Sequence, residues 1–383
     1  MKKKEIYVTK PALPRLSEFI PYLEDIWENH ILTNNGPFHK QLEQELCNYL
    51  GVKYISLFCN ATIALITALK ALEITGEVIT TPFSFVATAN SIIWSGLKPV
   101  FGDIEPNAFN LDPGKIESLI TPKTTAIMPV HVYGNPCDVK AIQSIAKKYK
   151  LKVIYDAAHA FGVKLDGESI LNFGDLSILS FHATKTFTTI EGGAIVCHDE
   201  QMKNRIDYLR NFGITGETSV SDVGINGKLN EIQAAFGLLY LKKVDEYIEK
   251  RKQLAQIYRE RLNGVIGIKV LTDLPGVVHN YTYFPILINE DIYGMSRDEV
   301  YYGLKKEGIF TRRYFYPLIT QFSPFRKLKT AQPGKLPIAE KVAREILCLP
   351  IYPDLNKLVV EEICDFLKQN AGNSRKILRA KAF

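Results

Sequence analysis

The sequence predicts an α/β protein of two units, a large one built on a mostly parallel sheet and a smaller α+β unit that follows it. Through the first half, short apolar runs alternate with helical segments of roughly 10–15 residues, a pattern typical of strand–helix–strand units. After a charged segment near residue 244 the pattern changes. The 383 residues also exceed what one compact core usually holds. We therefore expect a large unit over residues 1–244, and a connecting helix with the smaller unit over residues 245–383.

The large unit is predicted to begin with two amphipathic helices, at residues 16–30 and 38–50, separated by a turn-rich stretch. Short apolar runs then predict strands at residues 54–58, 78–80, 100–101, 125–130, 153–155, 178–181 and 194–196. Helical spacing predicts helices after the first two strands, at residues 62–72 and 86–95.

A long helix is predicted over residues 229–262, and its charged half is expected to be a solvated connector. In the smaller unit, apolar alternation and helical spacing predict both kinds of element. The strands are expected at residues 265–271, 281–288 and 308–312, and the helices at residues 296–307 and 336–348.

The composition is that of an ordinary soluble protein, with 46% hydrophobic and 23% charged residues. The net charge of +6 comes partly from basic residues at both ends, so it does not require a nucleic-acid partner. Six scattered cysteines without a CxxC pair argue against a zinc site and a disulfide framework. No apolar stretch has the length of a signal peptide or a membrane span. We expect a cytoplasmic protein with no metal and no membrane partner.

Ligands of open α/β sheets bind at the carboxyl ends of the strands, so the residues that follow each predicted strand are the candidates for a site. After the strand 54–58, residues 59–62 (CNAT) open a helix, whose backbone N–H groups attract a phosphate. The small Ala61 permits close approach, and the Thr62 hydroxyl can donate a hydrogen bond. A helix cap without any ligand is the equally open alternative.

Two further strand ends carry an acid and a lysine. Asp156 follows the strand 153–155 among small residues, which suits the partner of a protonated ring nitrogen, although a metal ligand or a helix cap would look the same. Lys185 follows the strand 178–181 in an unusually apolar stretch, where a lowered pKa would make it a nucleophile for a carbonyl. A lysine that reaches solvent is the alternative. A phosphate cradle, an acid and a lysine together are the parts that hold pyridoxal phosphate.

The chain also resembles a known family over nearly its whole length, the DegT/DnrJ/EryC1/StrS nucleotide-sugar aminotransferases, which have the type I, aspartate-aminotransferase-like fold. Any one of the matching motifs is weak, but eight occur in order. They are residues 32–37 (LTNNGP), 58–62 (FCNAT), 81–88 (TPFSFVAT), 156–160 (DAAHA), 180–185 (SFHATK), 191–193 (EGG), 224–231 (GINGKLNE) and 349–353 (LPIYP).

The resemblance implies a role for each candidate residue. Lys185 would form the Schiff base with pyridoxal phosphate, and Asp156 would pair with its pyridinium nitrogen. The resemblance also implies a homodimer with composite active sites. The remaining cofactor contacts it implies are Phe85 stacked on the ring, His159 near the ring hydroxyl, the backbone of Ala61 and Thr62 with the Ser180 hydroxyl at the phosphate, and Asn226 at the phosphate of the neighbouring subunit.

Two residues depart from the family pattern. Ala61 stands where many relatives have Gly, which tightens the approach of a phosphate. Lys228 stands where many have Arg, which puts any bidentate contact of that Arg in doubt. A further cluster, Arg312 to Tyr316, could contact the sugar or the diphosphate, or could equally pack between the two units.

The reaction that the resemblance implies is amino transfer from L-glutamate to a nucleotide-linked keto sugar, for surface-polysaccharide synthesis such as that of lipopolysaccharide O-antigen. C4 of dTDP-4-keto-6-deoxyglucose is the expected acceptor, because Ala183 and Glu191 stand where the C3-aminating branch tends to have Pro and Asp. The alternatives are C3 amination, a GDP- or UDP-linked sugar, a dehydratase of the family, and a cofactor-free binding or regulatory protein. The dehydratases carry His in place of Lys185. A Rossmann dehydrogenase is set aside because no GxGxxG opens a helix after a strand.

Overall fold

The computed structural model describes residues 5–372, and a seven-stranded sheet forms the centre of its larger part. In spatial order the strands are Tyr54–Phe58, Gly193–Cys197, Leu176–Ser180, Lys152–Asp156, Thr124–Met128, Glu77–Thr80 and Lys98–Phe101. Gly193–Cys197 runs antiparallel to both of its neighbours, and the other six strands share one direction. The predicted α/β fold with a mostly parallel sheet is therefore confirmed.

Helices cover both faces of this sheet, because successive side chains of each strand point to opposite sides. Val153 and Tyr155 belong to the core on one face, where Leu42 and Ile142 pack from two of the helices. Ile154 belongs to the core on the other face. The helices of the larger part are Leu16–Asn29, Pro37–Leu50, Ala61–Ala71, Ala87–Trp94, Pro113–Ile116, Val139–Tyr149, Glu200–Leu209 and Glu231–Leu241.

The smaller part is built on a three-stranded antiparallel sheet with Phe284–Ile288 in its middle, between Ile268–Val270 and Ile346–Leu349. Its own hydrophobic core includes Ile6, because the short strand Ile6–Tyr7 pairs in parallel with Ile309–Phe310. The helices here are Val244–Leu262, Glu290–Tyr293, Arg297–Lys306, Pro337–Glu345 and Lys357–Asn370. Two minor sheets pair Ile214–Gly216 with Ser219–Val220, and Lys164–Leu165 with Glu168–Ser169 and Val277–Val278.

Two helix predictions for the second half were wrong in their extent. The expected single helix over residues 229–262 is two helices, interrupted at Lys242 and Lys243. The second of them is not a solvated connector, because Leu254 and Tyr258 lie in the core of the smaller part. The helix expected over residues 336–348 ends at Glu345, and the fully buried apolar run after it is a strand. Apolar runs of this length fit either element, so periodicity could not decide.

The division into units near residue 244 stays a prediction, and the helix Val244–Leu262 begins at that point. Val244 and Tyr247 pack into the core of the larger part, whereas Leu254 packs into that of the smaller part. Among residues 5–372, no helix combines the length and the apolarity that crossing a bilayer requires. The cytoplasmic location stays a prediction.

Candidate active site

Three strand ends meet at one edge of the central sheet, because strands that share a direction also share the edge at which they end. In the register of the sheet, Phe58 and Ser180 both pair with Gly193, which lies between them. Asp156 ends the neighbouring strand and pairs with Ile178, which lies on the same strand as Ser180. The residues that follow Phe58, Asp156 and Ser180 therefore face one another across this edge, as the sequence predicted for an open α/β sheet.

The first of these strand ends presents unpaired backbone donors. The helix Ala61–Ala71 begins three residues after Phe58, and its N-cap Asn60 accepts the N–H of Ile63 at 2.9 Å. The N–H groups of Ala61 and Thr62 have no intrahelical acceptor, as at every helix start. The strand that begins at Gly193 can lie this close to the helix start because Gly193 has no side chain: a Cβ there would lie 2.6 Å from the Ala61 nitrogen. The arrangement can hold an anion by hydrogen bonds and by the helix dipole.

Asp156 is 5% exposed and is held by two donors. The Thr88 hydroxyl donates to its Oδ2 at 2.7 Å, and the Ala158 N–H donates to its Oδ1 at 3.1 Å. Burial raises the pKa of the Asp156 carboxyl, although these hydrogen bonds and the charge of Lys185 oppose that shift. A carboxylate in this position gains from a cationic partner placed inside the cavity.

Lys185 lies on the turn between the strands Leu176–Ser180 and Gly193–Cys197, and threonines fix that turn. The Thr188 hydroxyl donates to the carbonyl of Phe181 at 2.9 Å, and the Thr189 hydroxyl donates to the carbonyl of Glu191 at 2.7 Å. Both threonine side chains are buried. The backbone that carries Lys185 is therefore held in place before any ligand binds.

The pKa of the Lys185 amine is lowered, which favours its nucleophilic, neutral form. Burial lowers its pKa from 10.5 to about 8, while the charge of Asp156 opposes the shift. At about pH 7 such an amine is neutral roughly 300 times more often than an ordinary lysine. A neutral amine is the form that attacks a carbonyl.

Aromatic side chains form the walls of the site. Phe85 is 59% exposed although it is a large apolar residue, because its ring borders the cavity. His159 is buried, accepts the N–H of Tyr133 at 3.2 Å through Nδ1, and stacks with Phe315 at a centroid distance of 5.9 Å. Burial holds the pKa of His159 well below its usual range, so its ring is neutral. The walls therefore present flat apolar surfaces, and Lys185 is the one Lys or Arg among the described residues that line the cavity.

These residues enclose one cavity of about 600 Å³, a size usual for small-molecule sites. Seven of the eight residues predicted from the sequence line it, and their individual roles stay predictions. They are Ala61, Thr62, Phe85, Asp156, His159, Ser180 and Lys185.

Asn226, the eighth, is exposed and lies outside the cavity of its own chain. It pairs through its backbone with Asn211. Near it Lys228 donates to the side chain of Asn211 at 2.7 Å and lies over the ring of Phe212. A single chain therefore gives Asn226 no role in the site.

The sequence analysis missed two residues that shape the cavity. Thr88 was quoted within a motif but given no role, and it is the side-chain hydrogen-bond donor to Asp156. Tyr283 comes from the smaller part, 98 residues after Lys185, and its hydroxyl lies 3.4 Å from the Lys185 amine. Thr88 could have been proposed from the sequence, because it is a hydroxyl residue three positions after Phe85, within the helix predicted over residues 86–95. No local pattern pointed to Tyr283.

The cluster Arg312 to Tyr316 was expected either to contact the ligand or to pack between the two units, and its residues both line the cavity and pack between the units. Tyr314 and Phe315 line the cavity, and Phe315 also packs against rings of the larger part. Arg313 instead donates to Asp298 at 2.9 Å and lies over the ring of Tyr301, outside the cavity lining. Tyr314 and Phe315 thus belong to the site, whereas Arg313 and Tyr316 contact each other within the smaller part.

Comparison with known proteins identifies the group of proteins to which the site belongs. The pattern of the DegT/DnrJ/EryC1/StrS aminotransferase family matches residues 15–368. The dTDP-4-amino-4,6-dideoxy-D-glucose transaminase of Shigella dysenteriae is 53% identical over 367 residues, which cover 96% of this chain and 99% of that protein. The Escherichia coli transaminase of the same name is 55% identical over 368 residues, with coverage of 96% and 99%.

A solved structure extends the likeness to the fold. The crystal structure of DesI with its TDP-sugar product matches at a TM-score of 0.93 and 32% identity, covering 100% of this chain and 96% of that one. The resemblance inferred from the eight motifs is confirmed, and so is the fold class.

Proposed function

The chain belongs to the DegT/DnrJ/EryC1/StrS aminotransferase family, and from that premise we propose a pyridoxal-phosphate enzyme that aminates a nucleotide-linked sugar. The proposed donor is L-glutamate, and the proposed acceptor position is C4 of dTDP-4-keto-6-deoxyglucose. The observation that carries the proposal is the convergence of Lys185, Asp156 and the helix start at Ala61 on one cavity.

The residues of the cavity fit pyridoxal phosphate in charge and in shape. The N–H groups of Ala61 and Thr62, with the buried Ser180 hydroxyl, would hold the phosphate. The exposed ring of Phe85 offers an apolar face for the pyridine ring, and His159 lines the same cavity. When bound, the cofactor supplies the electron sink that stabilises negative charge on the substrate carbon.

Asp156 would keep the pyridine nitrogen protonated. Its carboxyl is buried, and the hydrogen bonds from Thr88 and Ala158 orient both oxygens. A protonated ring nitrogen beside it would compensate the buried negative charge, and the carboxylate would in turn raise the basicity of the nitrogen. Each group therefore stabilises the charged form of the other.

Lys185 would attach the cofactor and then move protons. Its lowered pKa, about 8, leaves a useful fraction of neutral amine at neutral pH. In the proposed reaction the neutral Lys185 amine takes a proton from the α carbon of the amino donor, and its ammonium form delivers a proton to C4 of the sugar. A pKa close to the working pH suits a group that must act as both base and acid.

Two comparisons support the nucleotide sugar and the C4 position. The relatives from Shigella dysenteriae and Escherichia coli are named for a dTDP sugar with its amino group at C4, and they are more than half identical to this chain. DesI was crystallised with a TDP-sugar product. The presence of Lys185 supports amino transfer rather than the dehydratase alternative.

We also propose that two copies of the chain complete each other's sites. Asn226 lies in an exposed segment with Val223, which is 82% exposed, and this segment pairs at Asn211 with the one that carries the exposed Phe212. A groove of about 790 Å³ lined by Val223 and Ile225 runs beside it. Exposed apolar patches of this kind mark association surfaces. A second copy covering the groove would carry Asn226 toward the phosphate of the other site.

The direct test is to supply L-glutamate with dTDP-4-keto-6-deoxyglucose, its 3-keto isomer, or the GDP-linked 4-keto sugar, and to locate the new amine by NMR. We expect amination at C4 of the dTDP sugar, bound-cofactor absorbance in the visible range, and neither in Lys185→Ala. Amination at C3 or a preference for the GDP sugar would contradict the proposed substrate. Loss of a sugar hydroxyl without a new amine would indicate the dehydratase.

A further inference from the structure

Tyr283 is the residue of the smaller part whose side chain hydrogen-bonds to Lys185, while Tyr314 of the same part lines the cavity and acts on the Lys185 charge without a hydrogen bond. Its hydroxyl lies 3.4 Å from Lys185 Nζ, at the long end of the hydrogen-bond range, and Nζ is 5.9 Å from the centre of its ring. Within residues 5–372, no other hydrogen bond of the Lys185 side chain or of the Tyr283 hydroxyl is recorded. Among the described residues, the two groups are therefore each other's hydrogen-bond partner, and Asp156 and Tyr314 act on the Lys185 amine through their charge alone.

The ring of Tyr283 is fixed from three sides. It meets His159 edge-on at 5.0 Å, Tyr133 at 5.6 Å, and Tyr314 edge-on at 5.8 Å between ring centres. His159 and Tyr133 belong to the larger part, whereas Tyr314 belongs to the smaller part. Such packing leaves the hydroxyl little freedom, so its position relative to Lys185 is set by the fold of both parts.

The hydroxyl keeps its proton at every pH at which the amine titrates. Burial raises the pKa of Tyr283 far above that of Lys185. A neutral phenol can accept a hydrogen bond from an ammonium group and can donate one to a neutral amine. Tyr283 can therefore contact Lys185 in both of its protonation states.

We propose that Tyr283 is a positioning residue for Lys185: its hydroxyl holds the amine in the cavity while the amine is not attached to the cofactor. The inference rests on the proposed function, since it assumes that Lys185 is released during turnover. Held in this way, the amine stays beside the reacting carbon as it exchanges protons. Without the hydroxyl, a flexible lysine side chain would sample positions from which proton transfer is slow.

The charge state of Lys185 provides a measurement that does not depend on turnover. The ionisable groups that line the cavity with it are Asp156, His159, Tyr283 and Tyr314, with His182 and Glu191 paired to each other at 3.4 Å near the opening. Hydrogen bonds to an ammonium are roughly twice as strong as those to a neutral amine. Loss of the hydroxyl should therefore lower the pKa of Lys185 further, by roughly 0.5–1.

The test compares Tyr283→Phe with Tyr281→Phe. Tyr281 precedes it by two residues, and its hydroxyl bonds to Asp273 at 2.8 Å outside the cavity lining, so the control removes the same atom from a neighbouring site. The full-length protein, with and without pyridoxal phosphate, is pulsed with an amine-acylating reagent over a range of pH. Mass spectrometry of the peptide that contains Lys185 then gives the pKa of its amine.

We expect Tyr283→Phe to lower that pKa and to reduce kcat roughly ten- to a hundredfold with little change in KM, and Tyr281→Phe to do neither. An unchanged pKa together with an unchanged kcat would overturn the inference. A higher KM at constant kcat would also overturn it, because Tyr283 would then contact the substrate instead. Failure of pyridoxal phosphate to protect Lys185 in the parent protein would refute the proposed function separately.

Discussion

Replacing Lys185 with methionine should stabilise the cofactor-free protein even though it abolishes transamination. The reason is that the fold holds the Lys185 amine in a site that disfavours its charge, as shown by the lowering of its pKa from 10.5 to about 8. Methionine has a similar length and no charge, so it fills the same space without that penalty.

The size of the effect follows from linkage between protonation and folding. A pKa difference from 10.5 to about 8 corresponds to about 3.4 kcal/mol, at about 1.36 kcal/mol for each tenfold change. This is an upper limit, because the lysine side chain is only partly buried and water screens part of the charge. We expect a gain of about 1–3 kcal/mol for Lys185→Met below the folded-state pKa.

Whether the parent protein gains or loses stability as the pH rises depends on which state, folded or unfolded, holds the Lys185 proton more tightly. Below about pH 8 the amine is charged in both the folded and the unfolded protein, so the penalty is complete. Between about pH 8 and pH 10.5 the folded state has lost the proton and the unfolded state has kept it, so the parent protein becomes more stable as the pH rises. The advantage of the methionine variant should therefore shrink by half or more between about pH 6.5 and pH 9.5.

The assay is urea unfolding of both cofactor-free proteins at these two pH values and at equal protein concentration. Lys115→Met is the control, because Lys115 is exposed on a short helix and the substitution changes the net charge equally. The reasoning would be refuted if the variant's gain in free energy of unfolding were the same at both pH values. It would also be refuted if the parent protein were the more stable of the two at the lower pH.

Three further predictions concern the same site. Asp156→Asn should slow transamination by about 3 kcal/mol, or roughly a hundredfold, with little change in melting temperature; a rate within about twofold of the parent would mean that another group protonates the ring. Thr88→Val removes the 2.7 Å hydrogen bond that lowers the pKa of Asp156, so the acid limb of the pH–rate profile should move to higher pH. If the limb does not move, another group sets it. Mixing the inactive variants Lys185→Ala and Asn226→Ala should restore part of the activity, because one site of the mixed dimer carries neither change. No recovery, despite proven subunit exchange, would argue against shared sites.

The central sheet and one edge of the cavity were predictable because they follow from local rules. Runs such as residues 153–155 are apolar and β-branched, and strands of one direction bring their carboxyl ends together. That rule places Ala61, Asp156 and Lys185 near one another from the sequence alone. The rule needs only the order of strands along the chain and the residue that follows each one.

The opposite wall was only partly predictable, because it depends on packing between distant parts of the chain. Phe315 belongs to the cluster Arg312 to Tyr316, for which the sequence left contact with the ligand and packing between the units equally open. Tyr283 lies 98 residues after Lys185, and no spacing in the sequence places it at the cavity.

The helices Val139–Tyr149, Glu200–Leu209 and Lys357–Asn370 were not assigned either. The 14-residue helix Lys357–Asn370 buries Val360, Ile363, Cys364 and Leu367 at helical spacing, so its sequence did carry a readable pattern. Glu200–Leu209 buries two residues, Ile206 and Leu209, which is a weaker signal.

Asn226 could not be given a role from the structure of a single chain. It is exposed and pairs through its backbone with Asn211, yet one chain offers it no ligand. A role between subunits leaves only an exposed polar residue in one chain, which is the commonest kind of residue on any surface. Only the motif that contains it pointed to a function.

The pKa values of Asp156 and Lys185, two of the ionisable groups of the cavity, are shifted in opposite directions, and both shifts disfavour the charged form. Burial raises the pKa of Asp156 and lowers that of Lys185. The ligand-free protein therefore holds an acid and a base in a site that charges neither of them well. A ligand with a basic ring nitrogen, an aldehyde and a phosphate meets each of these groups with its complement, and its phosphate meets unpaired N–H groups at Ala61. Binding should then relieve penalties that the fold already carries, so the cofactor would stabilise the protein beyond the contacts that it adds.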